Sequence, residues 1–207
     1  EDVPKGHKVT PSVWAMRRKR NLVTNEIKSH KAPLNLHGGK QVYGVNYYDT
    51  YAPVVTWFAI RLMIILAIVT KRVLRQIDFV MAYTQAPIET DLYMEIPYGI
   101  ETTAGNTHDY VLQLLANIYG QKQAGRVWNQ FLVQKLESIG FTQSRIDECV
   151  FYREDVIFIV YVDDGIFLGQ SDDQLTGIIK ELTEIGLEVE DQGHPADYVG
   201  VNIKRLY

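Results

Sequence analysis

The stretch Val156-Ile157-Phe158-Ile159-Val160-Tyr161-Val162-Asp163-Asp164-Gly165-Ile166-Phe167-Leu168-Gly169 constrains this chain more than any other. Two apolar runs rich in β-branched and aromatic residues flank two adjacent carboxylates and a glycine, the pattern of a β-hairpin with charge at its tip. An Asp-Gly turn accounts for one aspartate, because Asp tolerates turn conformations and Gly supplies positive φ. The second adds like-charge repulsion to a hairpin that otherwise reads as buried, and a metal cation is the usual way to offset it. The hairpin alone leaves a plain turn and a metal site equally open.

The 207 residues are 46% hydrophobic and 22% charged, enough for one sizeable core or two small subdomains. A single cysteine, Cys149, excludes an internal disulfide framework and a multi-cysteine metal site, and the five histidines show no metal-ligand spacing. An intracellular, cytoplasmic setting is the expectation from that cysteine usage. No secretory leader is expected, and no membrane span: the longest apolar stretch, Leu62 to Val69, is well short of the roughly 20 residues that cross a bilayer.

A net charge of -4 hides an asymmetry. Residues 1 to 41 carry nine Lys/Arg against three acids, a local +6, while the remaining 166 residues hold 12 basic and 22 acidic side chains, or -10. A basic lobe beside an acidic one suits a polyanion at one end and cations at the other. Arg17, Arg18, Lys19 and Arg20 form the densest basic run; a solvated charged strand or a localisation signal is the alternative reading of it.

Along the chain, Ser12 to Arg20 and Lys28 to Leu36 read as a hairpin with its turn at Asn21 to Glu26. Thr56 to Arg72 reads as a helix whose Phe58, Leu62, Ile65 and Val69 would face the core. Val73 to Val80 is a strand that carries a solitary acid, Asp78. Tyr93 to Ile96 and Tyr110 to Leu115 are short strands around a loop from Gly99 to Thr107. Gly125 to Gly140 is a helix with Val127, Trp128, Phe131, Leu132, Leu136 and Ile139 on one face. Ser171, with Gln174 three residues on, caps a second helix that ends at Gly186, and its Leu175, Ile178, Ile179, Leu182 and Ile185 face inward. Leu187 to Glu190 and Tyr198 to Lys204 supply the last strands. An α+β fold, a sheet backed by helices on one face, is the economical architecture.

Three aspartates stand at strand or hairpin ends: Asp78, Asp163 and Asp164. With the Asp78 strand beside the hairpin, their carboxylates would converge, and hard oxygen ligands of this kind suit Mg²⁺. Two such ions about 4 Å apart would lower the pKa of an attacking hydroxyl and stabilise the leaving oxygen of a phosphoryl transfer.

Tyr161-Val162-Asp163-Asp164 between apolar runs resembles the catalytic hairpin of reverse transcriptases. The other blocks are similar to the copia-type branch of LTR-retrotransposon enzymes, in order: Tyr51-Ala52-Pro53-Val54-Val55, Ile77-Asp78-Phe79-Val80-Met81-Ala82-Tyr83, Leu92 to Gly99, Ile118-Tyr119-Gly120-Gln121-Lys122-Gln123, Phe141 to Phe151 and Tyr198-Val199-Gly200-Val201. The resemblance implies the fingers and palm of a right-hand polymerase, an antiparallel palm sheet backed by helices with the thumb largely absent. Residues 1–56 would be the basic fingers-like segment, and 57–207 the palm with the remaining fingers elements. It implies that Asp78, Asp163 and Asp164 are catalytic and, with the Phe79 carbonyl, hold two Mg²⁺ ions, for which Mn²⁺ could substitute. Tyr83 would be a steric gate selecting dNTPs. Tyr119, Gly120 and Lys31 would contact the nucleotide, while Arg17 to Arg20, Lys122, Tyr198 and Gly200 would contact an RNA or DNA template-primer. The wider context implied is a Pol polyprotein with integrase and RNase H, housed in a virus-like particle.

Four positions depart from the family's usual pattern. Pro33 stands for an arginine, Gln121 for a leucine, Gly125 for a proline, and Glu190 for a lysine, leaving Lys180 or His194 as substitutes for that lysine. These changes motivate a second reading, a decayed or truncated domain that binds nucleic acid without polymerising. A generic carboxylate-metal nuclease is a third; it accounts for the aspartates but not for Tyr83 or Tyr119-Gly120.

Overall fold

In the computed structural model, which describes residues 3–21, 24–101 and 105–203, the basic N-terminal segment forms a nested hairpin. After the short β1 (Val9–Thr10) come β2 (Ser12–Trp14), β3 (Arg17–Arg20), β4 (Ile27–Lys31) and β5 (Leu34–Leu36), with β3 paired to β4 and β2 to β5. The ladder breaks at Pro33, which has no N–H to donate. The Pro33 carbonyl nevertheless accepts from the Ala15 N–H at 3.0 Å, so the hairpin spans the break. At its turn Asn21 donates to the Glu26 carbonyl (2.8 Å) and its Oδ1 accepts from the Thr24 N–H (3.1 Å); Leu22 and Val23 lie outside the described residues.

There follow α1 (Trp57–Thr70), β6 (Val73–Phe79), α2 (Ala82–Gln85), β7 (Tyr93–Glu95), β8 (Val111–Gln113), α3 (Ala124–Ser138), β9 (Thr142–Gln143), β10 (Val150–Arg153), β11 (Val156–Tyr161) and β12 (Asp164–Gly169). The last elements are α4 (Asp172–Glu184), β13 (Val189–Gly193), β14 (Asp197–Tyr198) and β15 (Val201–Asn202). The chain divides into two compact units, each discontinuous in sequence: Glu1–Tyr51 with Ala86–Val127, and Ala52–Gln85 with Trp128–Tyr207.

In the first unit β7 runs parallel to β1 and antiparallel to β8, over a small core of Leu36, Leu92, Met94 and Leu114. The Tyr119-Gly120 segment lies backbone to backbone on the end of β5: Leu36 N–H donates to the Tyr119 carbonyl at 2.9 Å. Gly120 has φ +89°, and a Cβ there would come 2.1 Å from the Leu36 carbonyl oxygen, so only glycine fits. Next to it, Gln121 is 6% exposed, and both ends of its amide are buried with no hydrogen-bond partner among the described residues. Leaving a buried amide unpaired costs stability.

The second unit is built on a six-stranded antiparallel sheet in the order β13-β6-β12-β11-β10-β9. Its core is aromatic: Phe158 and Phe167 stack across β11 and β12 with centroids 4.1 Å apart, and Phe141, Phe151 and Phe79 surround them. The expected capping of α4 is present, Ser171 Oγ accepting from the Gln174 N–H at 3.2 Å. The Gln174 side chain, however, reaches back to the Gln170 N–H rather than to Ser171. Gly186 (φ +86°) ends this helix, with the Leu187 N–H on the Leu182 carbonyl at 3.1 Å. Burial pushes the Cys149 thiol up to about 12, with the Asp147 and Glu148 charges adding to it, so the lone cysteine is unreactive at neutral pH. Among the described residues no helix is long and apolar enough to cross a membrane.

Helix α1 corrects one expectation. It forms where the sequence placed it, capped by Thr56, whose hydroxyl accepts from the Ala59 N–H. Its buried face is Ile60, Met63 and Ala67, however, and Phe58 (74% exposed), Leu62, Ile65 and Val69 point outward. Apart from Arg61 and Thr70 the helix is apolar all round, so helical spacing does not choose between faces.

Met63→Ala should therefore cost about 2–4 kcal/mol in urea unfolding, whereas Phe58→Ser should change stability by less than about 0.5 kcal/mol. Gln121→Leu should raise stability by about 1–3 kcal/mol in the same measurement, because it removes two orphaned polar atoms from a buried position.

Candidate active site

The charged hairpin tip turns two residues earlier than an Asp-Gly turn would place it. Tyr161 pairs with Asp164, so Val162 and Asp163 form the two-residue loop. Val162 supplies the positive φ, at +58°. A β-branched residue is costly there, because its Cβ crowds the backbone. Gly165 lies inside β12, opposite Val160 on one side and Ile77 on the other. Glycine is required there by packing: a Cβ would meet the Phe158 ring at 2.5 Å and Ile77 at 3.1 Å.

The same register aligns the acids. Asp164 stands opposite Asp78, and Asp78 opposite Glu190 on β13, so three carboxylates occupy one row across three neighbouring strands. Directly opposed residues share a face of the sheet. Asp163 is tied to the same place through the backbone, its carbonyl accepting from the Phe79 N–H at 2.7 Å. The aspartates are half-buried and Glu190 is exposed. Among the described residues no three Asp, Glu, His or Cys side chains are grouped closely enough to hold an ion. The fold brings the backbones of the three aspartates together. In kind, this set of hard oxygen donors fits Mg²⁺ or Mn²⁺.

Buried rings surround the turn. Trp128, on α3 and 2% exposed, donates its indole N–H to the Val162 carbonyl at 2.7 Å and meets Phe79 edge-on with centroids 5.2 Å apart. Tyr198 is 1% exposed and donates its hydroxyl to the Asp164 carbonyl at 3.3 Å. Burial raises its phenol pKa, with the Asp164 and Cys149 charges adding to the effect. Tyr83, half-buried on α2, also has a raised pKa, from burial first and then from the charges of Asp163 and Tyr161. The sequence reading counted Trp128 as core only. A buried indole calls for a partner, but that partner lies 34 residues away, beyond any local spacing.

The remaining expected site residues are distributed between the two units. With the aspartates in the second unit are Tyr83, Tyr198 and Gly200, which with Val199 forms a positive-φ turn between β14 and β15. The first unit holds Arg17, Arg18, Lys19, Arg20 and Lys31, all exposed on β3 and β4, together with Tyr119, Gly120 and Lys122. Arg17 is directly opposite Lys31, and Arg18 opposite His30. Lys122 Nζ sits 4.6 Å over the Tyr47 ring and 3.0 Å from its hydroxyl oxygen. Neither substitute for the missing lysine is brought to the aspartates. Lys180 faces solvent beside Glu184, and the His194 ring contacts the Leu74 carbonyl. Leu74 is four residues along β6 from Asp78, roughly 13 Å in an extended strand.

Gly165→Ala should cost about 1–3 kcal/mol by thermal or urea unfolding, because the Phe158 ring cannot withdraw from its stack on Phe167 without strain. A glycine needed only for a turn tip would leave that packing untouched.

A family model described as reverse transcriptase (RNA-dependent DNA polymerase) matches residues 1–206. The chain is 27% identical over 99% of its length to the retrovirus-related Pol polyprotein from transposon TNT 1-94 of Nicotiana tabacum. It is 30% identical over 93% of its length to the Pol polyprotein from transposon RE1 of Arabidopsis thaliana. To the transposon Ty1-ER2 Gag-Pol polyprotein of Saccharomyces cerevisiae it is 26% identical over 95%. It spans 15%, 13% and 11% of those relatives. With a match over nearly the whole chain, and with its aspartates on the paired strands just described, the chain belongs to the reverse transcriptase (RNA-dependent DNA polymerase) family, in its copia-type branch.

Proposed function

We propose that the chain is the fingers-and-palm portion of an RNA-directed DNA polymerase that extends a primer on an RNA or DNA template. The observation that carries this reading is the register that sets Asp78 opposite Asp164, with Asp163 tied by its carbonyl to the Phe79 N–H. In the reaction the primer 3′-oxygen forms a bond to the α-phosphorus of a dNTP while the α–β phosphoanhydride bond breaks and pyrophosphate leaves. Asp78, Asp163, Asp164 and the Phe79 carbonyl would hold Mg²⁺, or Mn²⁺ in its place. When bound, the metal acidifies the attacking hydroxyl and neutralises charge on the leaving oxygen. Tyr83, whose phenol feels the Asp163 charge, is the candidate gate against a ribose 2′-hydroxyl.

Residues 1–56 act as the basic fingers-like segment in this reading. Arg17 opposite Lys31 is a like-charged cross-strand pair, which destabilises a hairpin unless an anion lies against it. A polyanionic backbone or triphosphate supplies that anion, and binding to it should weaken steeply with salt. Partners in this reading are the template-primer, dNTPs and, as in the Pol polyproteins, the rest of a longer chain.

The orphaned amide of Gln121 favours a second reading, a decayed domain that binds nucleic acid without polymerising. Primer extension on poly(rA)/oligo(dT) separates the two. Polymerase function predicts Mg²⁺-dependent incorporation that EDTA abolishes and that Asp163→Asn lowers by at least about a hundredfold, the usual scale for losing electrostatic support at a reacting centre. Salt-sensitive binding with no incorporation, even in a longer chain that includes a thumb, would establish the decayed reading; Pro33→Arg or Gln121→Leu then asks whether one lesion is responsible.

A further inference from the structure

Val162 is a β-branched residue at φ +58°, a conformation that must be held by its surroundings. Three consecutive carbonyls of this turn are each engaged. The Val162 carbonyl accepts from Trp128 Nε1 at 2.7 Å, the Asp163 carbonyl from the Phe79 N–H at 2.7 Å, and the Asp164 carbonyl from the Tyr198 hydroxyl at 3.3 Å. Only the middle bond comes from the backbone of a neighbouring strand. The outer two come from buried side chains on α3 and β14.

We infer that Trp128 and Tyr198 are positioning residues that clamp the Val162 and Asp164 carbonyls and so hold the aspartate pair in a strained turn. Trp128 is the stronger of the two. Its bond is the shorter, it acts on the strained residue itself, and its ring also packs on Phe79, the neighbour of Asp78. One side chain thus touches both the turn that carries Asp163 and the strand that carries Asp78. A turn left free to relax its φ would rotate the peptide between Val162 and Asp163 and displace Asp163 relative to Asp78 and Asp164, which stay opposite each other in the sheet below.

The consequence for rate rests on the proposed polymerase reading; the clamp itself does not, and amide hydrogen exchange measures it directly. In Trp128→Phe an aromatic ring smaller than the indole remains and the N–H is lost. Exchange at Phe79 and across the 158–168 hairpin should accelerate by about tenfold, the equivalent of one buried hydrogen bond, and by more than at amides of the sheet remote from the turn. Adding Val162→Gly, which removes the strain, should restore most of the protection. Tyr198→Phe should give a smaller acceleration at the same amides. In the unmodified chain the Trp128 indole proton should exchange slowly, a readout that needs no variant to fold. In primer extension Trp128→Phe should lower kcat by about tenfold while KM for dNTP stays within about twofold, the mark of an interaction used at the reacting centre.

Unchanged protection in Trp128→Phe, a loss that Val162→Gly leaves in place, or fast exchange of the native indole proton would each overturn the clamp. An unmodified chain that is inactive in primer extension would overturn the polymerase proposal instead, and the exchange data would still decide the clamp.

Discussion

Asp78 and Asp164 face each other across an antiparallel pair, and Glu190 extends the row to a third strand. Opposed like charges cost on the order of 0.2–1 kcal/mol per pair in such a sheet, and here they sit half in and half out of the protein, where screening is incomplete. The structure around them supplies what holds this row together. Beneath it the stacked Phe158 and Phe167, with Phe79, Phe141 and Phe151, form a buried aromatic core that joins β6, β11 and β12. Gly165 lets that stack approach the strand immediately beside Asp164.

The turn that presents Asp163 and Asp164 is strained, and its strain is contained by groups outside the hairpin. Trp128 on α3, the Phe79 amide on β6 and Tyr198 on β14 each engage one carbonyl. The backbone that carries the aspartate pair is therefore restrained at three successive carbonyls. Stability and chemistry meet in the same residues here, and mutations at the rings are expected to act on the turn through its carbonyls.

The first unit follows a different logic, in which backbone contact does most of the work. Gly120 lies against the Leu36 carbonyl with no room for a side chain, and Pro33 is tolerated because its carbonyl still accepts a bond across the hairpin. The β3–β4 ribbon is exposed and cationic, with Arg17 opposite Lys31, so it gains little from its own packing. Gln121 is poorly satisfied in this unit, its amide buried with no partner among the described residues.

Much of this was legible locally. Alternating β-branched and aromatic runs specified β11 and β12, Ser171 and Gly186 marked the ends of α4, and the two aspartates after Tyr161 marked the tip of the hairpin. Those signals act over a few residues, through dihedral preference, capping and side-chain period, and a sequence determines them by itself. Tertiary structure decided what depends on who stands opposite whom. An α1 that is apolar nearly all round has no preferred face until a core meets it, so Met63 rather than Phe58 is buried. Gly165 reads as a turn glycine until the Phe158 ring is placed against it, at which point the turn belongs to Val162 and Asp163. Tyr198 reads as a surface contact for a primer until its ring is buried and its hydroxyl meets the Asp164 carbonyl. The pairing of Asp78 with Asp164, and the bond from Trp128 to Val162, join residues far apart in the chain, and only the closing of the sheet brings them within reach.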